Sequence, residues 1–358
     1  MKQLTLLMLF GLLLQFAYPQ EMTTSPPIPG TTKVNRDMVR DRTDKTNNFY
    51  DNEDTYSLPF AGLEIAGEIE NPGIVDFSML PKRSVIVKET ILKEDGSNVF
   101  VGAYRYDGYS LADILDNRIL KKKNKAEFPP IIDVFIEIEN AKGEKVVMSW
   151  GEIYYPNFLH NAIIATDVMR IVPSKTKDLW PLPTEGKLVI ACDLITERNI
   201  SAPVRITVRS APRSFIVNRD IKPLTSPEII IHDREKAETK LASLPTSLQM
   251  ETLHTIFYGK GRGIHTTKPF TGVYLKELLK KQFPMTRPAL QQGLVTIVGK
   301  DGYRSVYSYS EIMNRNDQAE ILVVPCPVEE DGGKFRIFPS CDFFSDRAVK
   351  AVSEIYID

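Results

Sequence analysis

The sequence predicts an α+β fold, mostly strand, carried by two tandem copies of one domain. Three observations support that expectation. Blocks of residues recur in the same order in both halves, paired strand-like runs flank Gly turns, and a short amphipathic helix follows a Gly in each half.

The recurrence is tested by register. Glu64-Ile65 falls on Glu228-Ile229, Leu80-Pro81 on Leu244-Pro245, Gly108 on Gly272 and Leu111 on Leu275. A second block places Gly143 on Gly302, Val147 on Val306, Ser149 on Ser308, and Glu152-Ile153 on Glu311-Ile312. A third places Cys192-Asp193 on Cys341-Asp342, Arg198 on Arg347 and Ile206 on Ile355. The spacing changes only in polar connectors, as it does when a duplicated domain keeps its core and varies its loops.

Each copy has the same outline. "SLADILD" and "YLKELLKKQ" carry apolar residues at helical spacing. "DVFIEIENAKGEKVVMSW" and "GLVTIVGKDGYRSVYSYS" each predict two strands joined by a tight Gly turn, with Asp301-Gly302 the stronger hairpin signal. "ILVVPCP" and "KFRIFPS" predict a further pair around the loop "VEEDGG", and "VRITVRS" and "SEIYID" predict edge-like closing strands.

Ahead of the copies lie two other segments. "MKQLTLLMLFGLLLQFAYPQ" sets Lys2 before an apolar run from Leu4 to Phe16. The run is shorter than the roughly 20 residues a bilayer span needs and has the proportions of a signal peptide. With no Cys behind it and no twin Arg, residues 1–20 are expected to direct export by the general secretion route, to a periplasm, cell surface or medium. Residues 21–57 are polar, rich in Thr, Asp, Asn and Pro, and predict a flexible leader. The copies are then expected at 58–212 and 213–358.

Composition narrows the function. A net charge of −1 gives no bulk attraction to nucleic acid, and four His with three Cys leave little for a metal cage. No transmembrane segment is expected once the signal is cleaved.

In "LEIAGEIENPGIVDFSMLPKRSVIVKET", "FTGVYLKELL" and "KFRIFPSCDFFSDRAVKAVSEIYI" the chain resembles the sulfite-oxidase-type molybdopterin-binding domains. The closing phrase, with Arg336, Pro339, Arg347, Val349-Lys350 and Ile355, is the most specific part. The resemblance covers roughly Phe60 to Asp358. It implies two sulfite-oxidase-like domains, a fold that in family enzymes holds molybdenum through a pterin dithiolene and acts on small oxo-compounds such as sulfite. It also implies a thiolate ligand just before the Gly-x-x-Leu helix, and neither copy has a Cys there. Cys192 and Cys341 lie beyond the helix and are not carried over as ligands. They are expected to pack as small apolar residues, with a Cys192–Cys341 bridge as the alternative. Cys326 and Cys341 fall toward opposite ends of one hairpin.

The loop "YGKGRGIH" stands where the family's cofactor loop would be, and in copy 1 its counterpart "EDGSN" is acidic. Lys260 and Arg262, with Arg336, Arg347 and Lys350, are therefore the expected anion-binding residues, and no catalytic residue is assigned. His254 and His265 flank the loop without the ligand number a metal site needs. "LKKKNKAEF" predicts a solvated connector. The expected function is an exported binding or structural protein without a resident cofactor, with a small anionic ligand or a protein as partner. A molybdopterin-dependent oxidoreductase, or a sugar-binding protein, is the alternative.

Overall fold

Alternation, not helical spacing, dominates the folded chain. The computed structural model describes Tyr50 and residues 53–173, 175–233 and 238–358. The expected signal peptide and nearly all of the expected leader lie outside them.

The first half contributes β1 (Thr55–Ser57), β2 (Glu64–Gly67), β3 (Gly73–Ile74), β4 (Lys82–Leu92), β5 (Asn98–Ser110) and α1 (Leu111–Leu115). It continues with β6 (Val134–Asn140), β7 (Lys145–Ser149), α2 (Trp150–Tyr154), β8 (Ala162–Arg170), β9 (Lys187–Ile190) and β10 (Pro203–Ser210). The second half opens with β11 (Ile229–His232), β12 (Glu238–Leu241), β13 (Glu251–Leu253), β14 (Phe257–Gly259), β15 (Gly263–Thr266) and β16 (Phe270–Tyr274). Then follow α3 (Leu275–Leu279), α4 (Arg287–Gln292), β17 (Leu294–Gly299), β18 (Arg304–Ser308) and α5 (Tyr309–Met313). β19 (Ile321–Cys326), β20 (Lys334–Pro339) and β21 (Val352–Ile357) complete the order.

These strands build four main sheets, ordered β1-β8-β5-β4 with β9 also on β8, β3-β2-β10-β6-β7, β12-β11-β21-β17-β18 and β13-β16-β19-β20. β14 and β15 form a separate two-stranded hairpin. The second and third sheets share a pairing pattern. β10 runs parallel to β2 and antiparallel to β6, while β21 runs parallel to β11 and antiparallel to β17.

The expected α+β pair of sulfite-oxidase-like domains is corrected here. Strand makes up 42% and helix 12% of the described residues, and the strands lie in four main sheets of four or five strands each, not in two sulfite-oxidase-like domains. The runs with helical spacing make only single turns: α1 and α3 have five residues each. β4 and β5, by contrast, pair along their length from Lys82↔Tyr109 to Leu92↔Asn98. β4 buries Val85, Val87 and Glu89 on alternate positions, which is a half-buried strand's signature.

Two local expectations change with it. The closing strands are not edges: each sits between two partners, Ile206 between Ile65 and Ile138, Ile355 between Ile231 and Ile297. Thr55–Ser57, placed in the leader, pairs with Asp167–Met169. The Gly turns form as read, with Gly143 at φ +81 and Gly302 at φ +75, where a side chain would be strained.

One core gathers Leu63, Ile65, Ile136, Ile138, Ile206 and Val208 of the first half, and a second gathers Ile229, Ile231, Val295, Ile297 and Ile355. Each such side chain contributes about 1.5–3 kcal/mol on burial. A small cluster of Phe135, Val147, Ala211 and Val306 joins the halves where β7 and β18, the outer strands of their sheets, come together. Such edges are vulnerable when exposed, and here each covers the other. Among the described residues, no helix is long and apolar enough to cross a membrane.

Candidate functional site

The repeated Cys-Asp phrase lies at this junction. In each half a strand (β9, β20) delivers the Asp, and a turn brings back the Arg five residues on. Arg198 donates through Nε to Asp193 Oδ2 at 2.8 Å and through Nη2 to Oδ1 at 2.6 Å. Arg347 repeats the fork on Asp342, at 2.7 and 2.6 Å.

A second carboxylate reaches each guanidinium from the helix that follows the outer strand. Ser149 ends β7 and caps α2 by accepting from the Glu152 backbone N–H, and Ser308 does the same for α5 and Glu311. Both stretches are Ser-x-x-Glu capping boxes in sequence. The Glu side chains do not fold back on their own caps. Glu152 accepts from Arg198 Nη2 at 2.6 Å, and Glu311 lies 2.6 Å from Arg347 Nη1.

The serines then cross between halves. Ser149 Oγ donates to Glu311 Oε2 at 2.7 Å, and Ser308 Oγ donates to Glu152 Oε2 at 2.8 Å. Arg198 Nη1 also donates to Ser308 Oγ and to the Val147 carbonyl, both at 3.1 Å. All five guanidinium donors of Arg198 are thereby engaged. Arg347 is as enclosed, with its guanidinium carbon 4.6 Å from the Tyr307 ring centre. Both arginine side chains are fully buried. Gly151 makes room for one of them, since a Cβ there would sit 2.4 Å from Arg347 Cδ.

Four carboxyls face two guanidiniums in this network, and their proton affinities diverge. Burial pushes Asp193 up, and Arg198 offsets that only in part. Burial and the nearby Glu152 charge push Glu311 up against the pull of Arg347. For Glu152 the balance reverses: burial opposes ionisation, but the Arg198 charge and hydrogen bonds hold the carboxyl below the usual range.

The cysteines border the network without joining it. All three are free thiols, and burial pushes Cys192 and Cys341 up, the opposite of what a thiolate ligand or nucleophile needs. Glu152, Cys192 and Asp193 hold their donor atoms within 4.8 Å of one another, close enough for an ion. Both carboxylates are already in the fork of Arg198. A cavity of about 10 Å³ beside Glu152, Pro156, Phe158, Cys192 and Arg315 has room for one water. A pterin needs a pocket of several hundred Å³. The residues present do not fit that cofactor here.

The predicted anion-binding residues go to different places. Arg347 belongs to the buried network. Arg336 ties down the turn before β20, donating to the carbonyls of Asp331 at 2.9 Å and Gly332 at 3.2 Å. Lys350 is exposed and lays its methylenes over Gly332. Lys260 and Arg262 are exposed in the turn between β14 and β15. His254 is exposed, and exposed His265 rests its ring 5.5 Å from that of Phe257. The basic run from Leu120 is not wholly solvated, for Lys122 is buried and holds Asp133 at 2.5 Å.

Glu152 and Glu311, assigned no role from sequence, are central here. The two capping boxes at matched positions were the signal for them. No family model matches the sequence, and no curated protein matches it.

Proposed function

We propose that this chain is an exported, non-catalytic binding protein whose central ion network is a structural clamp. The observation that carries the reading is the closure of that network: Arg198 and Arg347 spend their forks on Asp193, Glu152, Asp342, Glu311 and two serines. Arg198, with all five donors engaged, has none left for a substrate oxyanion, and a carboxylate paired with a buried guanidinium makes a poor general base. What is left for recognition is the surface.

Elemental mass spectrometry for molybdenum, with pterin fluorescence of the denatured supernatant, tests the reading on protein from its native host. Absence of both is the expected result. Near-stoichiometric metal and pterin overturn it.

A further inference from the structure

The hairpin β14–β15 carries a surface that no other part of the fold absorbs. Tyr258 and Ile264 are cross-strand partners, so their side chains share one face. Ile256 stands two residues before Tyr258, and the Tyr258 ring lies 5.7 Å from that of Phe343. Tyr258, Ile264 and Phe343 are 39%, 60% and 51% exposed, an apolar grouping that water disfavours, and Ile256, just before β14, is 70% exposed. The opposite face is anchored, because Phe257 packs against Phe270 and Phe338.

Charge is segregated at the same place. From Thr252 to Tyr274 the chain has Lys260, Arg262 and Lys268 and no carboxylate. Neither Lys260 nor Arg262 forms an ion pair with a carboxylate among the described residues. The acids beside Phe343 turn inward, Asp342 onto Arg347 and Asp346 with its Oδ2 buried.

We propose that this hairpin docks on an anionic lipid surface, its apolar face at the headgroup–acyl boundary and Lys260 and Arg262 on the headgroup anions. The inference rests on the binding reading above and names its partner. Exposed aliphatic side chains favour lipid over sugar. The Tyr258 and Phe343 rings are also inclined at 53°, so they do not form the flat platform a sugar face stacks on. Each cation near an anionic surface is worth ~1 kcal/mol, about fivefold in partitioning.

The test is co-sedimentation of the full exported chain with vesicles of phosphatidylcholine alone or with a third phosphatidylglycerol, at low and high salt. Binding is expected only with the anionic vesicles. Lys260→Glu/Arg262→Glu should lower it at least about 25-fold, and Tyr258→Ser/Ile264→Ser should lower it several-fold at unchanged charge. Lys142→Glu, on the turn between β6 and β7, serves as the charge control. All these positions are exposed, and circular dichroism checks their folding. No binding overturns the proposal. So does binding that the apolar double variant leaves intact, which marks a soluble polyanion as the partner. Protein free of molybdenum and pterin that ignores vesicles loses this surface but keeps the binding reading, whereas loaded protein loses that reading whatever the vesicles show.

Discussion

Ser149 and Glu311 meet across the two halves of the molecule at 2.7 Å, and Ser308 returns the contact to Glu152 at 2.8 Å. Each half thus supplies the hydroxyl that the other half's buried carboxylate needs. A buried ion pair in isolation adds little net stability, but removing one partner strands a charge. Four consequences are measurable.

Arg347→Ala leaves Asp342 and Glu311 buried without their cation. A loss of about 3–5 kcal/mol in urea unfolding is expected. Lys350→Ala, three residues on but exposed, should stay within about 0.5 kcal/mol. Equal losses would mean that the network does not carry the junction.

The pH dependence has opposite signs for the two glutamates. Glu311 is raised on folding, so its contribution is full below the ordinary glutamate range and drains away as pH rises through the folded value. Glu152 is lowered, so its contribution is present at neutral pH and is lost as pH falls through the folded value. Relative to wild type, Glu311→Gln should therefore gain in melting temperature from about pH 4 to pH 8. Glu152→Gln should show its largest deficit near neutrality. Parallel curves for all three proteins would refute the assignment.

Gly151→Ala should destabilise although Ala is the better helix former by about 1 kcal/mol. The added methyl meets the Arg347 side chain, which its carboxylates hold in place. A net cost of about 1–3 kcal/mol by thermal or urea unfolding is expected. A stabilised variant would show that Arg347 can yield.

Cys192 and Cys341 should react slowly with a disulfide reagent at pH 8 in the native state and quickly in urea, because burial keeps both thiols protonated. Fast native labelling of either would place a thiolate where the structure has a thiol.

Much of this was visible in the sequence, though in a different guise. The matched pairs Ser149/Ser308, Glu152/Glu311 and Arg198/Arg347 are the members of the network. Spacing shows that a pattern recurs, but it does not show what faces what, and Arg347, expected to hold a ligand, holds Asp342 and Glu311 instead. The hairpins around Gly143 and Gly302 were readable because turn chemistry is local. The length of β4 and β5 was not, since polar outward positions such as Ser84 and Lys88 dilute the apolar signal. A basic run gives no hint that one member, Lys122, turns inward to Asp133.

The reciprocal serines also set a schedule for synthesis. When residues 58–212 have left the ribosome, Glu152 and Arg198 exist, but the hydroxyl of Ser308 that completes them has not yet been translated. Ser149 likewise waits for Glu311, three residues after Ser308, and Arg347 comes later still. The first half emerges with an unfinished centre, and the chain seals it from both sides only when the last strands arrive.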